Sequence, residues 1–180
     1  MKYELTEESK IVFGTNLFRI KSLISFNSIK VGDTGGWVES ENNLDQSGKA
    51  WVYGEAMVCG KAMVYGEARV CGKARVYGEA RVCGKAWVYG EASVCGEAMV
   101  EFGEHTECPI CITASRYFMG WTGIKGFIRS GCILKSISWW KENVIRCAEE
   151  HGYTEDQQIE YKLIVELVVQ WMELKGVDKE

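Results

Sequence analysis

The sequence predicts a mainly β protein built on a solenoid, and three observations carry that expectation. Residues 48–100 are nine copies of a six-residue unit, Gly-Glu/Lys-Ala-x-Val-Tyr/Cys, without an insertion or deletion. A period this strict sets the architecture before any local propensity does. Within each unit alanine precedes valine by two residues, so in an extended segment both side chains point the same way and x points the other. Glycine supplies the permissive dihedrals of a corner. The third observation is that Tyr alternates with Cys and Glu with Lys over the first eight units, a chemical period of twelve.

That second period decides how many sides the coil has. A two-sided coil of twelve residues stacks Glu on Glu and Lys on Lys at a strand spacing of about 4.8 Å, which is unfavourable. With eighteen residues per coil the parity flips: Glu55 stacks on Lys73, Lys73 on Glu91, Lys61 on Glu79 and Glu67 on Lys85. Three sides are therefore expected, and nine units give about three regular coils. One face then carries Trp51, Arg69 and Trp87 beside Tyr53, Cys71 and Tyr89. The next carries Met57, Arg75 and Ser93 beside Cys59, Tyr77 and Cys95. The third carries Met63, Arg81 and Met99 beside Tyr65, Cys83 and Glu101.

The repeat unit resembles the hexapeptide repeat of left-handed parallel β-helices, in which three hexads make a triangular coil. The stretches Gly32-Asp33-Thr34-Gly35-Gly36-Trp37-Val38-Glu39, Glu41-Asn42-Asn43-Leu44 and Ala50-Trp51-Val52 narrow the resemblance to hexapeptide-repeat proteins of phage and prophage genomes. Phe13-Gly14, Leu17-Phe18-Arg19-Ile20 and the tail around Ile112-Thr113-Ala114-Ser115-Arg116 are similar to theirs as well. The resemblance implies a left-handed coil and an origin that places the chain in the cytoplasm of a bacterial host. It carries no catalytic residue with it.

Three segments follow. Residues 1–46 read as a β cap with an irregular first coil, since a solenoid end is an open strand edge that must be covered. Ile11 to Ile24 reads as two strands around Gly14-Thr15-Asn16, and Val38 and Leu44 are six apart, as in a coil. The Gly-Asp-Thr-Gly-Gly run lacks phosphate-loop spacing and no helix follows, so it is expected to be a tight turn. Residues 47–103 form the β-helix. Residues 104–180 read as a small β-plus-two-helix module that plugs the last coil or makes an oligomer contact. Two or three strands between Ile110 and Leu134 precede a helix over Trp139–Glu150 capped by Ser138. A second helix opens at the capping box Thr154-Glu-Asp-Gln157 and runs to about Leu174. Its expected buried stripe is Ile159, Leu163, Ile164, Leu167, Val168, Trp171 and Met172, widened by Val165 and Val169.

Composition narrows the function classes. The net charge of −4 is uneven: residues 1–48 carry five basic and seven acidic groups, 49–100 seven and five, and 101–180 nine and thirteen. A mildly basic solenoid between acidic ends does not suit a general nucleic-acid binder. The charged start Met1-Lys-Tyr-Glu-Leu-Thr-Glu-Glu is unlike a secretion signal, and no apolar run is long enough to span a bilayer. Cys59 and Cys95 lie two coils apart on one face, beyond bridging distance, so the eight cysteines read as reduced thiols.

The chemistry is sparse. Left-handed β-helices include acyltransferases with a histidine general base at a site between subunits, and an acyltransferase-like or small-ligand protein is the alternative reading. Its only histidines, His105 and His151, lie outside the repeat, and no loop interrupts the coils to project a base. His105, Cys108 and Cys111, with Cys132 as a fourth ligand, form a weak zinc alternative, since a second paired knuckle is missing. Buried small side chains are the plainer reading, with no cofactor expected. The interaction reading rests on Trp51, Tyr53, Arg69, Trp87, Tyr89, Arg75 and Arg81, because Trp, Tyr, Met and Arg are the residues interfaces favour. The expected function is a non-catalytic, phage-derived interaction scaffold that makes protein–protein contacts and inhibits a host defence system. Its expected partners are a second copy of itself, as a dimer or trimer, and a host protein, without membrane or general nucleic-acid binding.

Overall fold

A hairpin opens the chain: β1 (Tyr3–Val12) and β2 (Thr15–Ser22) pair antiparallel around Phe13-Gly14. Both turn residues have positive φ, +51° and +82°, as a two-residue turn matching strand twist demands. The computed structural model describes residues 1–106 and 108–179, in two compact units, Met1–Cys108 and Pro109–Glu180.

In the first unit β2 pairs antiparallel with β3 (Thr34–Val38), which pairs in parallel with the repeat. Nine two-residue strands follow: β4 (Trp51–Val52), β5 (Met57–Val58), β6 (Met63–Val64), β7 (Arg69–Val70), β8 (Arg75–Val76), β9 (Arg81–Val82), β10 (Trp87–Val88), β11 (Ser93–Val94) and β12 (Met99–Val100). They stack in parallel at a separation of eighteen residues on three sheets, β4-β7-β10, β5-β8-β11 and β6-β9-β12. The result is a β-solenoid of about four turns. Every repeat alanine and valine is buried, at 3 % exposure or less, so each valine contributes about 1.5 kcal/mol of burial. The coils are joined by main-chain bonds such as Trp51 N–H to Ala68 O at 3.0 Å and Tyr53 N–H to Val70 O at 2.7 Å.

The charge ladders appear where parity puts them, with two reassignments: Glu67, expected against Lys85, pairs with Lys49 on its other side, and Glu55 leaves the ladder. Lys61 meets Glu79 at 2.8 Å, Lys73 meets Glu91 at 3.4 Å and Lys49 meets Glu67 at 3.9 Å. Glu55, expected against Lys73, is instead drawn to the hairpin. It binds Lys10 at 3.1 Å and Arg19 at 3.2 Å and accepts the Trp37 indole N–H at 3.0 Å. Lys10 and Arg19 also lie over the Trp37 ring, at 4.1 and 4.3 Å. Several partners and a cation–π contact outweigh one exposed ion pair.

The start of the solenoid is irregular and well covered. Val38 pairs with Val58 and Leu44 with Val64, twenty residues apart, and both Val38 and Leu44 are buried. The Gly35-Gly36 pair is a close-approach site, as a Cβ at Gly35 would stand 2.6 Å from Ile20 Cγ1 and from Val52 O. The run expected as a tight turn is a turn only at Val31-Gly32; Thr34-Gly35-Gly36 lies in β3, because the missing side chains let that strand press against Ile20 and Val52. Lys2 is buried and donates from Nζ to Ala50 O at 2.9 Å, while the Tyr3 hydroxyl donates to Leu44 O at 2.7 Å. These groups satisfy carbonyls that a free coil edge would leave bare. Burial pushes the Lys2 ammonium down to about 8, partly offset by Asp45.

At the other end β13 (Glu104–His105) adds to β10, with His105 opposite Val88. His105 therefore takes the place a valine holds in the coils below it.

The second unit is a four-stranded antiparallel sheet with two helices: β14 (Cys111–Thr113), β15 (Phe118–Gly120), β16 (Phe127–Ser130), β17 (Ile133–Ser136), α1 (Ile137–Glu150) and α2 (Glu155–Lys175). Ser136, rather than Ser138, caps α1. It has extended dihedrals at the end of β17, and its hydroxyl accepts the Trp139 N–H at 3.2 Å. The Thr154–Gln157 capping box forms as expected, and Gly176 ends α2 with φ +66°. Met119, Ile128, Trp140, Tyr161, Val168 and Met172 are at the centre of this unit's core. One expectation fails here. Ile164, Val165, Val168, Val169 and Met172 are buried, but Ile159, Leu163 and Leu167 are exposed. The apolar positions of α2 form two faces, and the sheet and α1 cover one.

Candidate interaction surface

The surface is built by the repeat itself. Because x alternates with buried Ala and Val, each x side chain projects outward, and eighteen-residue stacking aligns them in columns. Trp51, Arg69 and Trp87 do share one column. Trp51, however, is fully buried, with Tyr3 packed edge-on at 6.2 Å and Phe26 at 5.5 Å. The hairpin and the loop after it cover the indole, so Trp51 belongs to the seal of the first coil and leaves the accessible patch. Its indole N–H finds no acceptor among the described residues.

What is accessible begins one coil later. Trp87 is 37 % exposed and Arg69 is exposed beside it, its guanidinium carbon 6.0 Å from the Trp87 ring. Tyr89 packs on Trp87 at 5.1 Å, and the indole N–H points at Cys71 Sγ at 3.0 Å. The Tyr89 hydroxyl donates to Glu104 at 3.1 Å, and that bond holds its proton more tightly than in a free phenol. Tyr53, in the column beside, is half-buried. Arg75 and Arg81 are exposed on the other two sides of the same coil, between Met57 and Ser93 and between Met63 and Met99. Arg75 approaches the Phe13 ring at the hairpin tip, 5.6 Å away. Arg69, Arg75 and Arg81 form no ion pair among the described residues. The hairpin thus shapes this surface through Phe13, a role that the Phe13-Gly14 motif does not signal in the sequence.

The catalytic and metal alternatives gain no geometry. His105 is buried, with Nε2 2.9 Å from Phe102 O, and burial lowers its pKa. A histidine so placed is structural. Among the described residues no three His, Cys, Asp or Glu side chains stand where they could hold a metal ion; of the four zinc candidates, His105 and Cys108 belong to the first unit and Cys111 and Cys132 to the second. The eight cysteines are not joined as disulfides.

In the second unit a cavity of about 210 Å³ is walled by Tyr117, Trp140, Tyr153 and Tyr161, with Cys147 and His151 at its edge. Cys147 Sγ is 3.9 Å from His151 Nδ1, but that nitrogen lies 2.7 Å from Cys147's own carbonyl. Burial and then Glu150 push the thiol up. That is the reverse of what an activated nucleophile needs. Among the described residues no helix is long and apolar enough to cross a membrane.

No family model matches the chain, and comparison with curated proteins finds none similar to it.

Proposed function

We propose that the chain is a non-catalytic interaction scaffold working through protein–protein contacts, with the outward face of the Arg69–Arg81 coil as its contact surface and a second copy as its first partner. The observation that carries this reading is the exposed Trp87, with half-buried Tyr89 packed on it, stacked beside Arg69 of the preceding coil, which presents on each side an arginine without an ion pair among the described residues. Aromatic and arginine side chains on a rigid surface are the composition of interface anchors. The short strands fix these side chains in place, so little conformational entropy is lost on contact. Resemblance of the repeat and leader to phage hexapeptide-repeat proteins supports a left-handed coil sense, a phage origin and a second role as an inhibitor of a host defence protein.

Sedimentation velocity over a range of concentrations tests the reading. The wild type should form a discrete dimer or trimer, and Trp87→Ala or Arg69→Glu should return it to the monomer. A wild type that stays monomeric up to about 1 mM, or an assembly indifferent to both substitutions, refutes self-association through this face.

A further inference from the structure

The side of α2 away from its core carries Ile159, Leu163, Leu167 and Leu174, exposed by 56, 59, 52 and 81 %. One exposed leucine needs no explanation, but four aligned along one helix make a contiguous apolar patch. At 3.6 residues per turn, Leu163 and Leu167 lie about 100–180° around the helix from Val165, Val168 and Met172. Residues 159, 163 and 167 form a ridge of the i, i+4 type that interdigitates with another helix. The core of the second unit is complete without them, since Trp140, Tyr161 and Met172 are already buried.

Charge chooses the occupant. Glu155, Glu166 and Glu173 follow one flank of the ridge and Asp156 lies in line with it; the cations beside them are Lys162 and Lys141, which meets Glu173 at 3.9 Å, so the carboxylates outnumber the cations. A second copy laid parallel about a two-fold axis would set Asp156 against its own counterpart and this acidic flank against the partner's opposite flank, where the residue nearest the ridge is Glu160. Laid antiparallel about Leu163 and Leu167, a second copy gains Lys162 against Glu166 but sets Glu155 against Glu173 and Asp156 against Leu174. Neither arrangement complements the surface, whereas a helix with an apolar ridge and lysine or arginine flanks meets leucines with leucines and carboxylates with cations. We infer that the outer face of α2 is a docking surface for a basic amphipathic helix of a partner protein. This surface lies wholly in the second unit and goes beyond the proposed role of the solenoid face.

The test uses the full-length protein and a synthetic, dye-labelled peptide of about eighteen residues with leucines spaced i, i+4 and lysine flanks, read by fluorescence anisotropy. Two other peptides complete the set, one scrambled and one with glutamate flanks. The lysine-flanked peptide should bind at least tenfold more tightly than either. Leu163→Asp/Leu167→Asp should weaken it at least tenfold with an unchanged circular dichroism spectrum, and Trp87→Ala should leave it unaltered. Glu155→Lys/Glu166→Lys/Glu173→Lys should reverse the preference toward the glutamate-flanked peptide. Equal binding of the scrambled peptide, indifference to the leucine substitutions, or no binding overturns the inference. So does an oligomer in sedimentation that Leu163→Asp/Leu167→Asp dissolves, since a second copy would then occupy the ridge.

Discussion

Substituting alanine at the corner glycines tests the eighteen-residue stacking through its closest contacts. Gly54, Gly72 and Gly84 all have left-handed dihedrals, φ +57°, +69° and +59°. Any alanine there costs about 1–2 kcal/mol in backbone strain. What differs is the space for a Cβ. At Gly54 nothing lies within 4 Å, at Gly72 the Cβ would stand 3.0 Å from Gly90 O, and at Gly84 it would stand 2.5 Å from Glu101 O. Those neighbours are backbone of the next coil and cannot rotate aside, so overpacking adds about 1–3 kcal/mol. Gly54→Ala should cost about 1–2 kcal/mol, Gly72→Ala somewhat more, and Gly84→Ala about 2–5 kcal/mol. Urea unfolding followed by circular dichroism separates them, because a difference of 2 kcal/mol moves the midpoint by about 1 M at an ordinary slope. Equal midpoints for Gly54→Ala and Gly84→Ala would refute the close approach of Glu101 O to the Gly84 corner, since that contact is what separates two corners that both carry a coil above them.

Four further outcomes follow from named contacts. Trp51→Ala should cost about 3–5 kcal/mol, the range for deleting a buried tryptophan, whereas Trp87→Ala, partly in solvent, should cost far less, as measured by thermal unfolding. Lys2 has a folded pKa of about 8 against 10.5, so the folded state binds the proton less tightly than the unfolded one. Its penalty, on the order of 3 kcal/mol, is present below pH 8 and is relieved as pH rises toward 10.5. The stability of the wild type relative to Lys2→Met should rise through that window, and a flat difference counts against a buried ammonium. His105 is depressed by burial, so its contribution is lost as pH falls below the ordinary histidine range, and His105→Gln should flatten that part of the acid-unfolding curve. Glu55→Gln, which loses charge at a site shared by Lys10, Arg19 and Trp37, should destabilise more than Glu79→Gln, whose partner Lys61 is exposed. Chemical denaturation of the two variants at low salt decides it.

The repeat was legible because each level of it agrees: spacing, inward Ala and Val, corner glycine and charge parity all require the same coil. The irregular segments were less so. Nothing local marks Trp51 as buried, because the residues that cover it, Tyr3 and Phe26, are far away in sequence. Glu55 has the sequence context of every other ladder carboxylate, and only the folded hairpin brings Lys10 and Arg19 to it. On α2 a continuous apolar pattern cannot say which residues a two-layer unit will cover, so the outer leucines read as core. The proposed interaction surface is half legible in the sequence. The columns of Arg69, Trp87 and Tyr89 follow from the period, whereas the loss of Trp51 from the patch depends on tertiary packing.

Hydroxyl-radical footprinting tests the proposed scaffold role most directly, because tryptophan, tyrosine and methionine side chains report their own exposure. The protein would be oxidised at about 1 µM and about 200 µM and the modified residues identified by mass spectrometry. Mass action and the contact surface assigned here predict that Trp87 and Tyr89 become protected at the higher concentration, while Phe13-adjacent and α2 peptides do not. Equal oxidation of Trp87 and Tyr89 at both concentrations, in a sample that sedimentation shows to be assembled, would contradict it.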